Sequence, residues 1–249
     1  MNIAVCLKQT PDTATRVKIA DDGASIVEDD IQWIINPYDE SAVEEAIRLT
    51  EQHGGEVTIL SLGPARVEEA IRAALAMGAH KAIRLDSARI PIDPRVTARA
   101  LVEVLREDAY DLIFTGQQAI DDDHAQVPQR IAQAMNLPGV TAVEELHIED
   151  GQGWGRRVLE GVREKVSFRL PAVIGVNRRL VEPRYPSFLG IRKAQKKPLD
   201  VRAATLDADH LVVERLSYPP EKTTGRRFTD GVDAVPEVVR LLREEAKVI

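Results

Sequence analysis

Four short runs of mostly branched aliphatic residues, Ile3–Leu7, Val57–Leu62, Ala82–Leu85 and Leu112–Thr115, set the strongest limit on how this chain folds. None of them alternates strictly between apolar and polar side chains. A strand of that kind is buried on both faces, which is the mark of a parallel sheet. The segments between the runs keep helical spacing. Ala42, Val43, Ala46 and Ile47 share one face, as do Val67, Ala70, Ile71, Ala74 and Leu75, and then Ala98, Leu101, Val102 and Leu105. Strand and helix in alternation call for right-handed crossovers. The expected fold is therefore α/β, a doubly wound, mainly parallel, Rossmann-like sheet.

Local punctuation agrees with this. Asn36-Pro37-Tyr38-Asp39 offers an N-cap, a proline at the first helical position and an acid at the third, close to a capping box. Gly78 is free to end the second helix in the left-handed conformation. After Leu137-Pro138 the pattern changes: Val140–Ile148 and Val158–Arg169 read as extended segments joined by a hairpin turn at Asp150-Gly151-Gln152-Gly153. Val173–Val176 reads as one more buried strand. From residue 196 the chain is a polar, proline-interrupted tail with a short helix after Asp233, striped by Val235, Val238, Val239 and Leu242. The expected organisation is a nucleotide-binding α/β domain over residues 1–195 and a C-terminal arm over residues 196–249. The arm is too thin to form its own core, so it is expected to pack on a partner.

Composition removes several function classes. The formal charge of -7 does not suit a general nucleic-acid binder, which needs a cationic surface. No stretch approaches the ~20 apolar residues of a membrane span, so no membrane insertion is expected. The start, MNIAVCLKQT, lacks the features of a secretory signal or an organelle presequence. Cys6 is the one cysteine, which excludes an internal disulfide and suits a reducing compartment; the cytoplasm is the expected location. There is no Walker A motif, no GxGxxG after a strand, no HExxH and no serine nucleophile elbow. Neither a catalytic constellation nor a metal site is expected, and the chain reads as a binding protein and not an enzyme.

Ligands of open α/β sheets bind beyond the carboxyl ends of the strands, near the topological switch. Three segments fall there: Cys6 to Gln9, Ser61-Leu62-Gly63-Pro64, and Gly116–Val127 (GQQAIDDDHAQV). Gly116 would let the backbone turn as its strand ends. Pro128 belongs in the first turn of a helix whose inner face carries Ile131, Ala134 and Met135, so that helix cannot begin much before Ala125. Free N–H groups around Ala125–Val127 would then form an anion cradle. Asp121, Asp122 and Asp123 oppose an anion. Their carboxylates turn into caps, or meet sugar or base groups, or the loop takes a cation.

The same residues carry a resemblance. Asn36-Pro37-Tyr38-Asp39 with AVEEAIRL, SLGP with AALAMGA, and GQQAIDDD follow one another in order. So do EKVSFRLP and then Glu182-Pro183-Arg184-Tyr185 with Arg192-Lys193-Ala194-Gln195-Lys196-Lys197. Together they resemble the electron transfer flavoprotein beta subunit family, from the N-terminus to about residue 200. The resemblance implies a heterodimer with an alpha subunit that holds the FAD, while this chain buries a structural AMP and completes the flavin site. It places AMP contacts at Cys6, at Asn36, Pro37, Tyr38 and Asp39, and at Leu62. Further contacts would run along Gly116, Gln117, Gln118, Ala119, Ile120, Asp121, Asp122, Asp123, His124, Ala125, Gln126 and Val127. It makes Tyr185–Ile191, otherwise a loop with a few buried anchors, the segment that reaches acyl-CoA or other dehydrogenases. Tyr185, Phe188, Leu189, Ile191, Arg192 and Lys193 would dock, and a quinone reductase would be the electron acceptor.

Departures from the family pattern matter too. Phe188 stands where leucine is usual, and Leu189 where proline is common. Thr13 replaces a tyrosine that some members place near the flavin. Ala125-Gln126-Val127 is closer to the bifurcating subfamily, whose beta subunits hold a second FAD, while Asp122 stands where that subfamily has glycine and Pro128 where both have it. Two other classes are weighed. A stand-alone nucleotide-binding stress or signalling module would carry a late Gly-x-x-Gly loop, and an ATP-cleaving enzyme an SGGxDS-like loop where this chain has Lys8-Gln9-Thr10-Pro11.

Overall fold

The computed structural model describes residues 1–220 and 225–249. Its frame is a sheet of nine strands. At the centre lies β1 (Asn2–Cys6), flanked by β4 (Glu56–Gly63) on one side and β6 (Leu112–Gly116) on the other. Beyond β4 come β5 (Lys81–Asp86) and β11 (Leu199–Ala203). Beyond β6 come β10 (Ala172–Val176), β7 (Gly139–Glu149), β8 (Gln152–Leu159) and β9 (Val162–Arg169). All pairings from β11 to β7 are parallel, whereas β8 and β9 are antiparallel. The chain builds outward from β1 to β5, then crosses back to start β6 on the opposite side. That reversal is the topological switch.

Period-two alternation along β1 feeds two cores. Ile3 and Val5 join the core under α1 (Pro37–His53) and α2 (Val67–Met77), while Ala4 and Cys6 face α3 (Pro94–Leu105) and α4 (Val127–Met135). Phe114, Ile59, Leu112 and Ile113 are almost fully buried, and such a side chain contributes about 1.5–3 kcal/mol on leaving water. Covering both faces is what the unbroken apolar runs require. The α/β, mainly parallel fold is as the sequence predicts.

Several local expectations are corrected. The turn at Asp150-Gly151 is tighter than expected: both residues take positive φ, and Gln152 and Gly153 already belong to β8. Val158–Arg169 is not one strand, because Glu160-Gly161 folds it into β8 and β9, with Gly161 at φ 75°. The inner face of α4 carries Pro128, Ile131 and Ala132, while Ala134 is exposed. Residues 9–11 and 33–35 form a small antiparallel pair, β2 (Gln9–Pro11) and β3 (Trp33–Ile35). The tail from residue 196 is more than an arm, since its first strand, β11, pairs with Ala82–Asp86 of β5. Its last helix, α6 (Val235–Glu244), buries no residue, and Val235, Val239 and Leu242 remain exposed.

The segment Tyr185–Ile191 is a short helix over its second half, α5 (Phe188–Ala194), capped by the Ser187 side chain. Gly190 lets it sit directly on α2, since a Cβ there would lie 2.7 Å from the Ala76 carbonyl oxygen. The Arg72 guanidinium donates to the carbonyls of Ala194 and Lys197. Lys197 donates to the carbonyls of Leu75 and Ala79, where a cation complements the end of α2. Lys197 is therefore a structural cap and not a docking charge.

Candidate functional site

A cleft opens at the carboxyl edge of the sheet, where the loops after β1 and β6 diverge. With its open mouth it spans about 740 Å³ of space between protein atoms. Its floor comes from Cys6, Leu62 and Thr115, one flank from Ile90, Pro91 and Ile92, and the other from the loop Gly116–Val127. Leu101, Thr97 and Pro128 complete a mainly apolar lining.

Asn36 and Asp39 have a different task from the capping box expected of them. The Asn36 side chain makes no cap to α1. Its amide donates to the Gln118 carbonyl at 2.8 Å and its oxygen accepts from the Ile120 N–H at 3.3 Å. Asp39 accepts from the backbone N–H of Lys8 at 2.8 Å and of Gly116 at 2.6 Å. The start of α1 thus fastens the loops after β1 and β6 to each other. Gly116 is required by this junction and not by its φ, which is not positive: a Cβ there would meet Asp39 Oδ1 at 2.5 Å and Tyr38 Cβ at 2.7 Å. The sharp turn expected of Gly116 is made further on. Asp123 (φ 49°) and Ala125 (φ 51°) take left-handed conformations, costing on the order of 1 kcal/mol each.

The three aspartates turn into ion pairs and turns. Lys8 Nζ reaches Asp121 and Asp122, each at 2.7 Å. Burial weakens the Lys8 ammonium, but the two carboxylates outweigh that and hold its pKa above the usual lysine value. Burial raises the pKa of Asp122, and Lys8 and the His124 N–H more than offset this, so that it stays lowered. Asp123 accepts from the Gln118 amide at 2.7 Å. At the start of α4 the N–H groups of Ala125, Gln126 and Val127 have no protein acceptor among the described residues, and all three residues line the cleft.

Most residues expected at the site line this cleft: Cys6, Asn36, Asp39, Leu62, Gly116, Gln117, Gln118, Ala119, Asp122, His124, Ala125, Gln126 and Val127. Pro37, Tyr38, Ile120, Asp121 and Asp123 do not line it, although Asp121 pairs with Lys8, which does. Leu7 and Lys8, within the segment Cys6 to Gln9 expected at this edge, line the cleft as well, whereas the Ile90–Ile92 flank was not expected. The flank follows β5 as the other site loops follow their strands, and that position was the available signal. Among the described residues no group of three or more His, Cys, Asp or Glu side chains is placed to hold a metal ion. Among the described residues no helix is long and apolar enough to cross a membrane.

Asp39 gives the site a pH signature. Burial raises its carboxyl to about 7, hydrogen bonds from Lys8, Gly116 and Asn36 offsetting only part of the effect. The folded state then binds more protons than the unfolded one between about pH 4 and 7, so stability falls as pH rises through that window. The full contribution is on the order of 4 kcal/mol at most. In Asp39→Asn it disappears. Urea titrations from pH 4.5 to 8 are expected to show the wild type losing stability relative to the variant as pH rises, and a pH-independent difference would refute the assignment.

The residues expected to dock a partner lie together in sequence, and none of them lines the cleft. Tyr185 is 95% exposed and Phe188 79%, with Leu189, Ile191, Arg192 and Lys193 also exposed, so none is a buried anchor.

The sequence model of the "Electron transfer flavoprotein domain" matches residues 24–207. "Electron transfer flavoprotein subunit beta" of Bacillus subtilis (strain 168) is 38% identical over the full length of both chains. That of Thermoanaerobacterium thermosaccharolyticum is 41% identical over 97% of this chain and 98% of its own. The Homo sapiens protein of the same name is 33% identical over 98% of each. With full-length similarity on a fold that matches the expectation, this chain belongs to the electron transfer flavoprotein beta subunit family.

Proposed function

We propose that the chain is the beta subunit of a heterodimeric electron transfer flavoprotein and holds AMP in the cleft at the carboxyl edge of its sheet. The observation that carries this is the set of open N–H donors at Ala125–Val127 beside an apolar slot between Leu62, Ile90 and Ile92. Oriented N–H groups at a helix start suit a phosphate, and the slot suits a planar base. AMP would act as a structural ligand, stabilising the folded chain by mass action. A supply of electrons in single steps belongs to FAD, held mainly by the alpha subunit. This chain contributes part of the wall around that flavin, and is not itself an enzyme. The exposed stripe of α6 and the C-terminal arm suit an alpha subunit, and the exposed Tyr185–Lys193 patch suits transient dehydrogenase and quinone reductase partners. Arg192 and Lys193 would steer acidic surfaces toward it.

A second FAD, as in the bifurcating branch, is the competing reading, favoured by Ala125-Gln126-Val127. Against it stands the Lys8–Asp121–Asp122 cluster at the cleft mouth. Lys8 is committed to two carboxylates there and offers no free charge to a second phosphate. The test is to denature the complex purified from its native cell and chromatograph the released nucleotides. One FAD with one AMP is expected; two FAD and no AMP would establish the bifurcating reading, and neither nucleotide would overturn both.

A further inference from the structure

The flank Ile90–Ile92 is not held by the sheet alone. It spans from the end of β5 to the start of α3, and the C-terminal arm is bonded to both of its ends. The Ala204 N–H donates to the Asp86 carbonyl at 2.9 Å, where the flank begins. At its far end Asp209 accepts from the Asp93 N–H at 3.3 Å, and the His210 N–H donates back to Asp93 at 3.3 Å. Asp209 also pairs with Arg89, immediately before Ile90. Only 10% of the Asp209 side chain is exposed, whereas Arg89 is largely in solvent, so the buried carboxylate is the fixed point. A different arm contact, Arg99 with Asp207 at 2.6 Å, lies on the outer surface of α3 and touches no cleft residue.

We infer that Asp209 is a positioning residue for the nucleotide cleft, holding the Ile90–Ile92 flank in place through Arg89 and the Asp93 N–H. This rests on the nucleotide reading and adds to it. The cleft wall is set by a segment that also leads to α6, so binding in the cleft and placement of the arm are linked. Linkage is reciprocal: an arm held in place strengthens binding, and a bound nucleotide strengthens the hold on the arm.

The test compares the full-length wild type with Asp209→Asn, Asp209→Glu and, as an arm control, Arg99→Ala. AMP affinity is measured by titration calorimetry, and amide hydrogen exchange is followed over residues 87–95 without nucleotide. Losing the charged acceptor is expected to weaken AMP binding by about tenfold or more in Asp209→Asn. Exchange at Asp93 should accelerate in the same variant. Asp209→Glu should recover part of the affinity, and Arg99→Ala should match the wild type in both measurements. Unchanged AMP affinity in Asp209→Asn would overturn the inference, as would an equal loss in Arg99→Ala, which would make the effect a general one of the arm. A wild type that takes no AMP would overturn the nucleotide reading and the inference with it.

Discussion

Gly116→Ala is expected to lower the stability of the chain by about 3 kcal/mol and to release the nucleotide proposed to bind in the cleft. The added methyl would lie 2.5 Å from Asp39 Oδ1 and 2.7 Å from Tyr38 Cβ, and neither can withdraw. Asp39 is held by two backbone N–H groups, and Tyr38 Cβ is fixed by the first turn of α1. Overpacking at a site that cannot relax sits at the upper end of the 1–3 kcal/mol usual for such changes, hence about 3. The shift of α1 also breaks the Asn36 bonds to Gln118 and Ile120, and these set the loop that carries the N–H cradle. Urea denaturation checks the first effect, and nucleotide released on denaturation checks the second. Wild-type values in both would mean that the approach of α1 to β6 is not tight.

Arg184→Met is the other large effect, expected at about 3–5 kcal/mol. Glu44 is almost fully buried in α1, and its carboxylate is covered by the Arg184 guanidinium through contacts of 2.9–3.1 Å. The same guanidinium reaches the exposed Glu51, and these two glutamates hold its pKa above the usual arginine value. Removing one partner of such a pair leaves a buried charge uncompensated, which is costlier than the pair is worth. The double variant Glu44→Leu, Arg184→Met should recover most of the loss. If the single variant melts like the wild type, Glu44 is solvated by another route. Arg184 also begins the run into α5, so the single variant removes the side-chain tie between that run and α1 while its seat on α2 remains.

The sequence displayed what depends on burial and hid what depends on distant partners. β1, β4, β5 and β6 were legible because both of their faces are covered, which leaves an unbroken apolar run. β11 was not: Asp200, Val201 and Ala203 are exposed on an edge strand, and LDVRA reads as polar tail. Asn36 and Asp39 looked like a local cap since Ser/Asn-x-x-Asp is a local pattern. Their partners, Gly116, Gln118 and Ile120, lie some eighty residues away and leave no trace in the spacing. The cradle at Ala125–Val127 was legible because Pro128 fixes where α4 starts. The role of Lys8 was not, since a lone lysine after a strand points to nothing until the fold brings Asp121 and Asp122 to it.

The position of β1 has a consequence for how the chain is made. Its first neighbour, β4, is complete at Gly63, but its second, β6, is complete only at Gly116. An emerging chain can therefore close a half-sheet of β1, β4 and β5 under α1 and α2 while the opposite edge of β1 is still open. That edge consists of Ile3, Ala4, Val5 and Cys6, all apolar and all destined for burial. Until β6 is synthesised it is the surface on which two nascent chains would stick together. While residues 86 to 112 are being added, that open edge is a place where nascent chains can associate and a chaperone can protect.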